Sequence, residues 1–217
     1  MTRDKSRIEQ PKQTTRERVL DAAERLLMQG SAAFSMRELA EEARMSFATP
    51  FNQFGSKAAI MLALSARRID TMRDQLVRAT LPESAVGRVL MAVDIAAAVM
   101  LSAPAMNRSV MGAISAPSDE PGNVFSRSSA FWAEALGAGD GLASATRSMA
   151  MAALPDQLAV AFRGVLSFWT AGELSDQLLR QRARAAAAAV LLGFIGRDGR
   201  AELLVLLEAA SGLKSSS

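Results

Sequence analysis

The chain has 217 residues, half of them hydrophobic, and its 25 basic and 22 acidic side chains give it a formal net charge of +3. It contains no histidine and no cysteine, which excludes Ser-His-Asp catalysis, Cys-His catalysis and disulfide bonds. We predict that the protein is not an enzyme and that it has no cofactor and no metal site. No apolar run reaches the ~20 residues of a membrane span, and the N-terminus lacks an apolar signal-peptide segment, so we expect a cytoplasmic protein without membrane contact.

The first 13 residues form a polar arm without hydrophobic periodicity. Residues 1–20 carry six basic and three acidic side chains, so the excess of +3 in this segment equals that of the whole chain. A basic arm is suited to the phosphate backbone of a nucleic acid. The alternative is a solvated tail without a partner.

A first helix is predicted to begin after Thr14. The hydroxyl of Thr14 can cap the helix, and Glu17 completes a capping box. Apolar side chains then recur at helical spacing, namely Val19, Leu20, Ala23, Leu26 and Leu27. Gly30 is the natural end of this helix.

The next segment, FSMRELAEEARMSFATPFNQFGSK, predicts two short helices and the start of a third. Ser35 is a good N-cap with Glu38 three residues on, and Phe34 and Leu39 occupy the positions of a hydrophobic staple. The first helix therefore reads MRELAEEA, with its apolar side chains on one face.

A tight turn and a second short helix follow. Arg44 and Met45 make the break, Ser46 is placed to cap the next helix, and Phe51 and Phe54 are its apolar members. Two helices of this length with so short a turn match a helix-turn-helix, which lays its second helix in the major groove of DNA.

The stretch TTRERVLDAAERLLMQGSAAFSMRELAEEARMSFATPFNQFGSKAAIMLAL resembles the N-terminal domain of the TetR family of bacterial transcriptional regulators. The likeness runs from Thr14 to about Leu64. Beyond it, only the length, the helical pattern and the segment FWTAGELSDQLL resemble the family. The resemblance implies an all-α protein that binds a double-stranded DNA operator, with a flexible basic arm (1–13), a three-helix helix-turn-helix domain (14–64) and a larger helical domain for ligand binding and dimerisation (65–217).

Eight side chains are predicted to contact DNA. An arginine near the start of the first motif helix can bind a guanine edge or a phosphate, and the start of the second helix reaches deepest into the groove. A lysine at the first position of the third helix opposes the helix dipole, and a bound phosphate would account for it there. The eight are Arg37, Ser46, Phe47, Ala48, Thr49, Phe51, Asn52 and Lys57.

Three residues depart from the pattern of the family. Phe51 replaces a tyrosine whose hydroxyl contacts a phosphate. Arg44 stands where the turn usually has glycine, so a left-handed backbone there costs more. Pro50 lies within the second helix, close enough to its start to be tolerated.

The second half of the chain predicts further helices and no β-alternation. Ser56 can cap a long helix that runs to about Ala79. Pro155 is placed in the first turn of a later helix, after a poorly defined segment. The predicted helices cover residues 57–79, 83–102, 105–114, 124–136, 155–171, 175–194 and 200–210, with the clearest loop at 115–123.

Methionines and aromatic residues give this domain an adaptable apolar interior that is suited to a small apolar effector, although the same residues can serve as plain core. Asp94 interrupts an otherwise apolar helix and needs a partner, for which Arg88, Arg108 and a bound ligand are the candidates. If Asp94 is an ionic anchor, ligands should be cationic or hydrogen-bond donors. The predicted ligand residues are Met91, Asp94, Met106, Met111, Phe125 and Trp132.

The last two long helices are the predicted interface of a homodimer. Their small side chains allow close helix contacts, and the resemblance implies a four-helix bundle made by two subunits. The predicted contacts are Phe162, Val165, Leu166, Trp169, Ala187, Val190 and Leu191.

These observations favour a ligand-responsive, homodimeric DNA-binding regulator that acts as a repressor on a palindromic operator. The alternative is an α-helical module that binds apolar ligands and has lost specific DNA binding, as Phe51, Arg44 and Pro50 would suggest. A third possibility is an enzyme that uses Asp94 as a general base.

Overall fold

The computed structural model of the chain describes residues 13–30, 34–117 and 122–211, without the side chains of 197 and 198. These residues form helices and loops and no named strand, which confirms the predicted all-α fold. The α-helices are α1 (Thr15–Met28), α2 (Met36–Glu42), α3 (Ala48–Phe54), α4 (Lys57–Arg78), α5 (Ala85–Leu101), α6 (Pro104–Ala113), α7 (Val124–Leu136), α8 (Arg147–Thr170), α9 (Asp176–Leu191) and α10 (Arg197–Ser211).

The first two helices begin at the capping boxes that the sequence predicts. The Glu17 amide donates to Thr14 Oγ1 at 3.2 Å, and the Thr14 amide donates to Glu17 Oε2 at 2.7 Å. Ser35 and Glu38 repeat the pattern at the start of α2, at 3.2 and 2.7 Å. Each pair satisfies two backbone amides that a helix terminus leaves unbonded.

Helix α8 is longer than the sequence predicts. It begins at Arg147 and runs through Pro155, which lies inside the helix and not in its first turn. A proline there removes one helical hydrogen bond and costs ~3 kcal/mol. Ala150, Leu154 and Leu158 are buried on one face of the helix across this position, so tertiary packing offsets the cost of the proline.

The chain divides into two compact units, residues 1–60 and 61–217. In the first unit the described core comes from α1, α2, α3 and the start of α4, and it includes Val19, Leu39, Phe54 and Ile60. In the second unit one hydrophobic cluster joins helices from α4 to α10 around Trp132, Leu158, Trp169 and Leu191. Helix α4 contributes residues to both units.

A buried arginine fixes one end of α7 in the second unit. Arg88, on α5, donates to the carbonyl oxygens of Leu136 at 2.8 Å and Ala135 at 3.3 Å, at the C-terminus of α7. It also donates to the Glu83 carbonyl at 2.6 Å and to Asp140 Oδ2 at 3.1 Å. The guanidinium thus supplies donors at the C-terminus of α7, where carbonyls lack helical partners, and the Leu136 carbonyl also accepts from the Gly139 amide at 3.1 Å.

One described helical stretch, Ser144–Thr170, is long and apolar enough to pass a compositional test for a membrane span. In the structure its buried residues Leu154, Leu158 and Phe162 belong to the core of the second unit. A helix that packs into a protein core passes the same test, so the stretch is weak evidence for a span.

Candidate DNA-binding surface and ligand cavity

The turn between α2 and α3 uses a left-handed residue. Arg44 has φ 53°, and among the described residues it alone combines a positive φ with a side chain. The Met45 amide donates to the Ala40 carbonyl at 2.9 Å, which closes the turn. A left-handed conformation costs a residue with a Cβ roughly 1–2 kcal/mol, so this turn is formed at a cost that glycine would avoid.

Helix α3 has one buried and one exposed side. Pro50 and Phe54 are buried, and the Arg16 guanidinium lies 4.0 Å from the centre of the Phe54 ring. Arg16 also donates to the Gln53 carbonyl at 2.9 Å. On the other side the rings of Phe47 and Phe51 are 64% and 59% exposed. Because exposure of aromatic surface to water is energetically unfavourable, these side chains are candidates for contact with DNA.

The start of α3 differs from the prediction. The N-cap position is Phe47, and no side chain caps the helix there. The Ser46 hydroxyl lies 2.8 Å from the hydroxyl of Thr49 instead of bonding a backbone amide. Both hydroxyls keep further hydrogen-bonding capacity for a phosphate or a base edge.

The eight predicted DNA-contacting residues all belong to the first unit. Ala48 and Asn52 are exposed on α3. Arg37 is exposed on α2, where its Nε lies 3.3 Å from Glu41 Oε1. An exposed pair of this kind contributes little stability, so the guanidinium is free to exchange Glu41 for another anion.

Lys57 has a structural environment that the sequence did not reveal. Its ammonium lies 4.4 Å from the centre of the Phe34 ring, a cation–π arrangement. Burial lowers the pKa of Lys57, and the nearby Glu38 carboxylate partly opposes this shift. Phe34 thus offers an explanation for the position of Lys57 besides a bound phosphate.

The second unit contains an apolar cavity between helices α4 and α8. The space between its lining residues is about 590 Å³, part of it open to solvent. Two of the six predicted ligand residues, Met111 and Trp132, line it, whereas Met91, Asp94, Met106 and Phe125 are not among its lining residues. The wall also contains Arg68, Asn107 and Arg163, which were not predicted because nothing in their spacing in the sequence separates a cavity wall from an outer helix face.

Asp94 is held by two arginines of α9. Its oxygens accept from Arg180 Nε at 2.8 Å and Arg184 Nη1 at 2.7 Å. Partial burial acts to raise the pKa of Asp94, but the hydrogen bonds from both arginines outweigh it, and the pKa lies below its ordinary value. The partners are therefore neither Arg88 nor Arg108, and the carboxylate joins α5 to α9 away from the cavity.

Most side chains predicted for the dimer interface lie in the core of the second unit. Val165 and Val190 are half-buried, and the other five are buried, namely Phe162, Leu166, Trp169, Ala187 and Leu191. Within the single chain the five buried side chains therefore expose almost no surface to a partner, whereas Val165 and Val190 expose part of theirs. The opposite face of α8 exposes Val160 and Phe168, with Gly164 between them.

Comparisons with known proteins agree with this architecture. Residues 19–64 match the sequence model of the bacterial regulatory proteins of the tetR family. A search of the curated proteins found no significant match.

Two solved structures share the fold. The chain is similar to a TetR transcriptional regulator from Rhodococcus sp. RHA1, with a TM-score of 0.63, 20% identity, and coverage of 82% of this chain and 95% of that one. It is also similar to a putative tetR family transcription regulator from Shewanella sp. PV-4, with a TM-score of 0.56, 14% identity, and coverage of 85% and 100%. Residues 19–64 therefore form an N-terminal domain of the tetR type, and the chain shares the all-α fold of these two TetR-type structures.

Proposed function

We propose that this protein is a cytoplasmic, homodimeric repressor that binds a palindromic operator and releases it when a small apolar molecule enters the cavity of the second unit. The observation that carries the DNA-binding part is helix α3. It is the second helix of a helix-turn-helix, and its outer side presents Phe47 and Phe51 to solvent while Pro50 and Phe54 hold it to the domain. An outer side of this kind is suited to the major groove.

The side chains of this surface divide into two chemical groups. Phe47 and Phe51 offer apolar contact, for which the thymine methyl is the natural partner, and Asn52 has the amide that pairs with adenine. Arg37, Ser46, Thr49 and Lys57 carry donors suited to phosphates or base edges. Sequence preference therefore depends on Phe47, Phe51 and Asn52, together with those donors of the second group that contact a base edge.

Dimerisation is assigned to the exposed side of α8 together with the neighbouring side of α9. Val160, Gly164 and Phe168 follow one another at intervals of four residues and form a stripe along α8. An added Cβ at Gly164 would meet nothing within 4 Å, so this position leaves room for a partner helix. A two-fold pair of such chains presents two α3 helices to a palindrome.

For a ligand to release DNA, the protein must have two conformations, one that binds DNA and one that does not, and they must bind the ligand with different affinity. Helix α4 begins at Lys57 and supplies Ser65, Ile69 and Met72 to the cavity wall. A ligand that moves this helix in the cavity would also move its first turn. We assign to α4 the coupling between the ligand and the DNA-binding residues.

A second candidate function is favoured by two features of the motif. Arg44 holds a left-handed turn at a cost, and Phe51 has no hydroxyl for a phosphate. A helical module that binds apolar ligands without specific DNA binding would tolerate both. The two functions differ in whether changes on α3 affect DNA affinity.

Replacing Lys57 by alanine tests the DNA surface. We expect weaker binding and a shallower dependence of log affinity on log salt, by about the slope of one phosphate contact. Arg78→Ala, which removes a cation at the other end of α4, should leave the slope unchanged. Fluorescence anisotropy with labelled operator DNA at several salt concentrations measures both. An unchanged slope in Lys57→Ala would assign Lys57 to the Phe34 contact alone.

A further inference from the structure

The cavity of the second unit combines an apolar wall with cationic groups. Most of the wall is aliphatic or aromatic, but Arg68 and Arg163 also belong to it, and none of the described lining residues is acidic. A molecule that occupies the cavity therefore meets mainly apolar surface together with two guanidinium groups.

Arg163 differs from other arginines of the same unit. It donates to Ser115 Oγ at 2.8 Å and to Met111 Sδ at 3.4 Å, and both acceptors are neutral. Within the described part of the chain it bonds to no carboxylate. Six arginines of this unit do bind carboxylates, namely Arg73, Arg88, Arg108, Arg127, Arg180 and Arg184.

The guanidinium of Arg163 is half-buried, and burial lowers its pKa from the ordinary value. An arginine nevertheless keeps its proton near neutral pH. A cation in apolar surroundings that has no carboxylate partner among the described residues is costly, and an anion that binds to it recovers part of that cost. The chemistry of the site therefore selects for negative charge beside Arg163.

Two buried polar atoms in the wall determine which further polar groups of a ligand the cavity can bind. In the described structure neither Trp132 Nε1 nor Asn107 Oδ1 has a hydrogen-bond partner, although both side chains are fully buried. The Asn107 amide nitrogen donates to the carbonyls of Val99 at 3.1 Å and Met100 at 2.8 Å, which fixes the orientation of the amide. A ligand oxygen can accept from Trp132, and a ligand hydroxyl can donate to Asn107.

We propose that the effector is an amphipathic anion, with an apolar body that fills the space between α4 and α8 and a carboxylate that binds Arg163. The effect of this anion on DNA binding rests on the proposed function. Its binding to the cavity does not depend on that function. An anionic ligand replaces the expected cationic ligand, because Asp94 is bonded to Arg180 and Arg184 outside the cavity.

Calorimetry with three eight-carbon probes tests the proposal: octanoate, its isosteric amide octanamide, and the cation octylamine, at neutral pH without DNA. Octanoate should bind at least roughly tenfold more tightly than octanamide, and octylamine should bind least. Arg163→Met should weaken octanoate by roughly ten- to a hundredfold, the range of a lost charge-assisted bond, and leave octanamide unchanged. Arg147→Met, an exposed arginine of the same helix, should change neither.

Several results would overturn the proposal: octylamine or octanamide binding as tightly as octanoate, none of the three binding, or equal losses for octanoate and octanamide in Arg163→Met. Circular dichroism shows whether the variant folds. If it does not, Arg163→Lys, which keeps the charge and should keep the preference for octanoate, takes its place. Since these titrations contain no DNA, a chain that binds octanoate but selects no operator would contradict only the proposed function.

Discussion

Replacing Arg88 by methionine is expected to lower the free energy of unfolding by about 3 kcal/mol, within the range for buried carbonyls that lose a charged donor. Arg88 is 9% exposed and donates to carbonyls of Glu83, Ala135 and Leu136. Methionine fills a similar volume but removes these donors, and only the Leu136 oxygen keeps another one, the Gly139 amide at 3.1 Å. For a chain of this size the melting temperature should fall by roughly 6–12 °C.

Thermal unfolding at one fixed protein concentration measures this effect, since concentration shifts the melting temperature of an oligomer. Arg78→Met, at an exposed arginine on α4, should change the melting temperature by less than about 1 °C, as is usual for surface substitutions. The melting temperature of Arg88→Lys should lie between those of Arg88→Met and Arg78→Met, because a single ammonium cannot donate to all these carbonyls. A melting temperature of Arg88→Met equal to that of the unaltered chain would contradict the proposed role.

Replacing Phe168 by glutamate is expected to produce monomers. Phe168 is 58% exposed in the single chain, so the substitution leaves the core of the second unit intact. In the proposed dimer it buries an unpaired carboxylate, which should weaken association by about a hundredfold or more. Operator affinity should fall with it, since a monomer presents one α3 helix where the palindrome requires two.

Sedimentation velocity on Phe168→Glu and on a matched control decides the prediction. Val77→Glu makes the same chemical change at another exposed residue, on α4, and should sediment as the unaltered chain does. Ala187→Glu is not a useful test of the interface, because Ala187 is buried within the single chain and a charge there destabilises the fold. A Phe168→Glu protein that remains a dimer would place the interface elsewhere.

Features that depend on a few neighbouring residues were predictable from the sequence. The capping boxes at Thr14 and Ser35 need only a hydroxyl and a glutamate three residues later. The resemblance to the family marked Arg44 as the position where a left-handed backbone would be costly, and the structure shows φ 53° there. Pro155 was misplaced because a proline ordinarily breaks a helix, and only the packing of Leu154 and Leu158 on either side shows why it does not.

Long-range pairing was not predictable in the same way. The partners of Asp94 lie 86 and 90 residues further along the chain, and many arginines could have served. The sequence also marked α8 as apolar without separating its two apolar faces. Phe162, Leu166 and Trp169 serve the core, while Val160 and Phe168 face outward, and only the packed structure distinguishes them.

Selection of bound sequences from a random pool of double-stranded DNA tests the central claim most directly. The account predicts enrichment of a palindromic consensus with half-sites about 10 base pairs apart or a multiple of that distance. Phe47→Ala should reduce the enrichment while keeping weak, salt-dependent binding to any sequence. If the unaltered chain enriches no sequence, it is not a specific operator-binding protein, and the ligand-binding module without DNA specificity is the correct description.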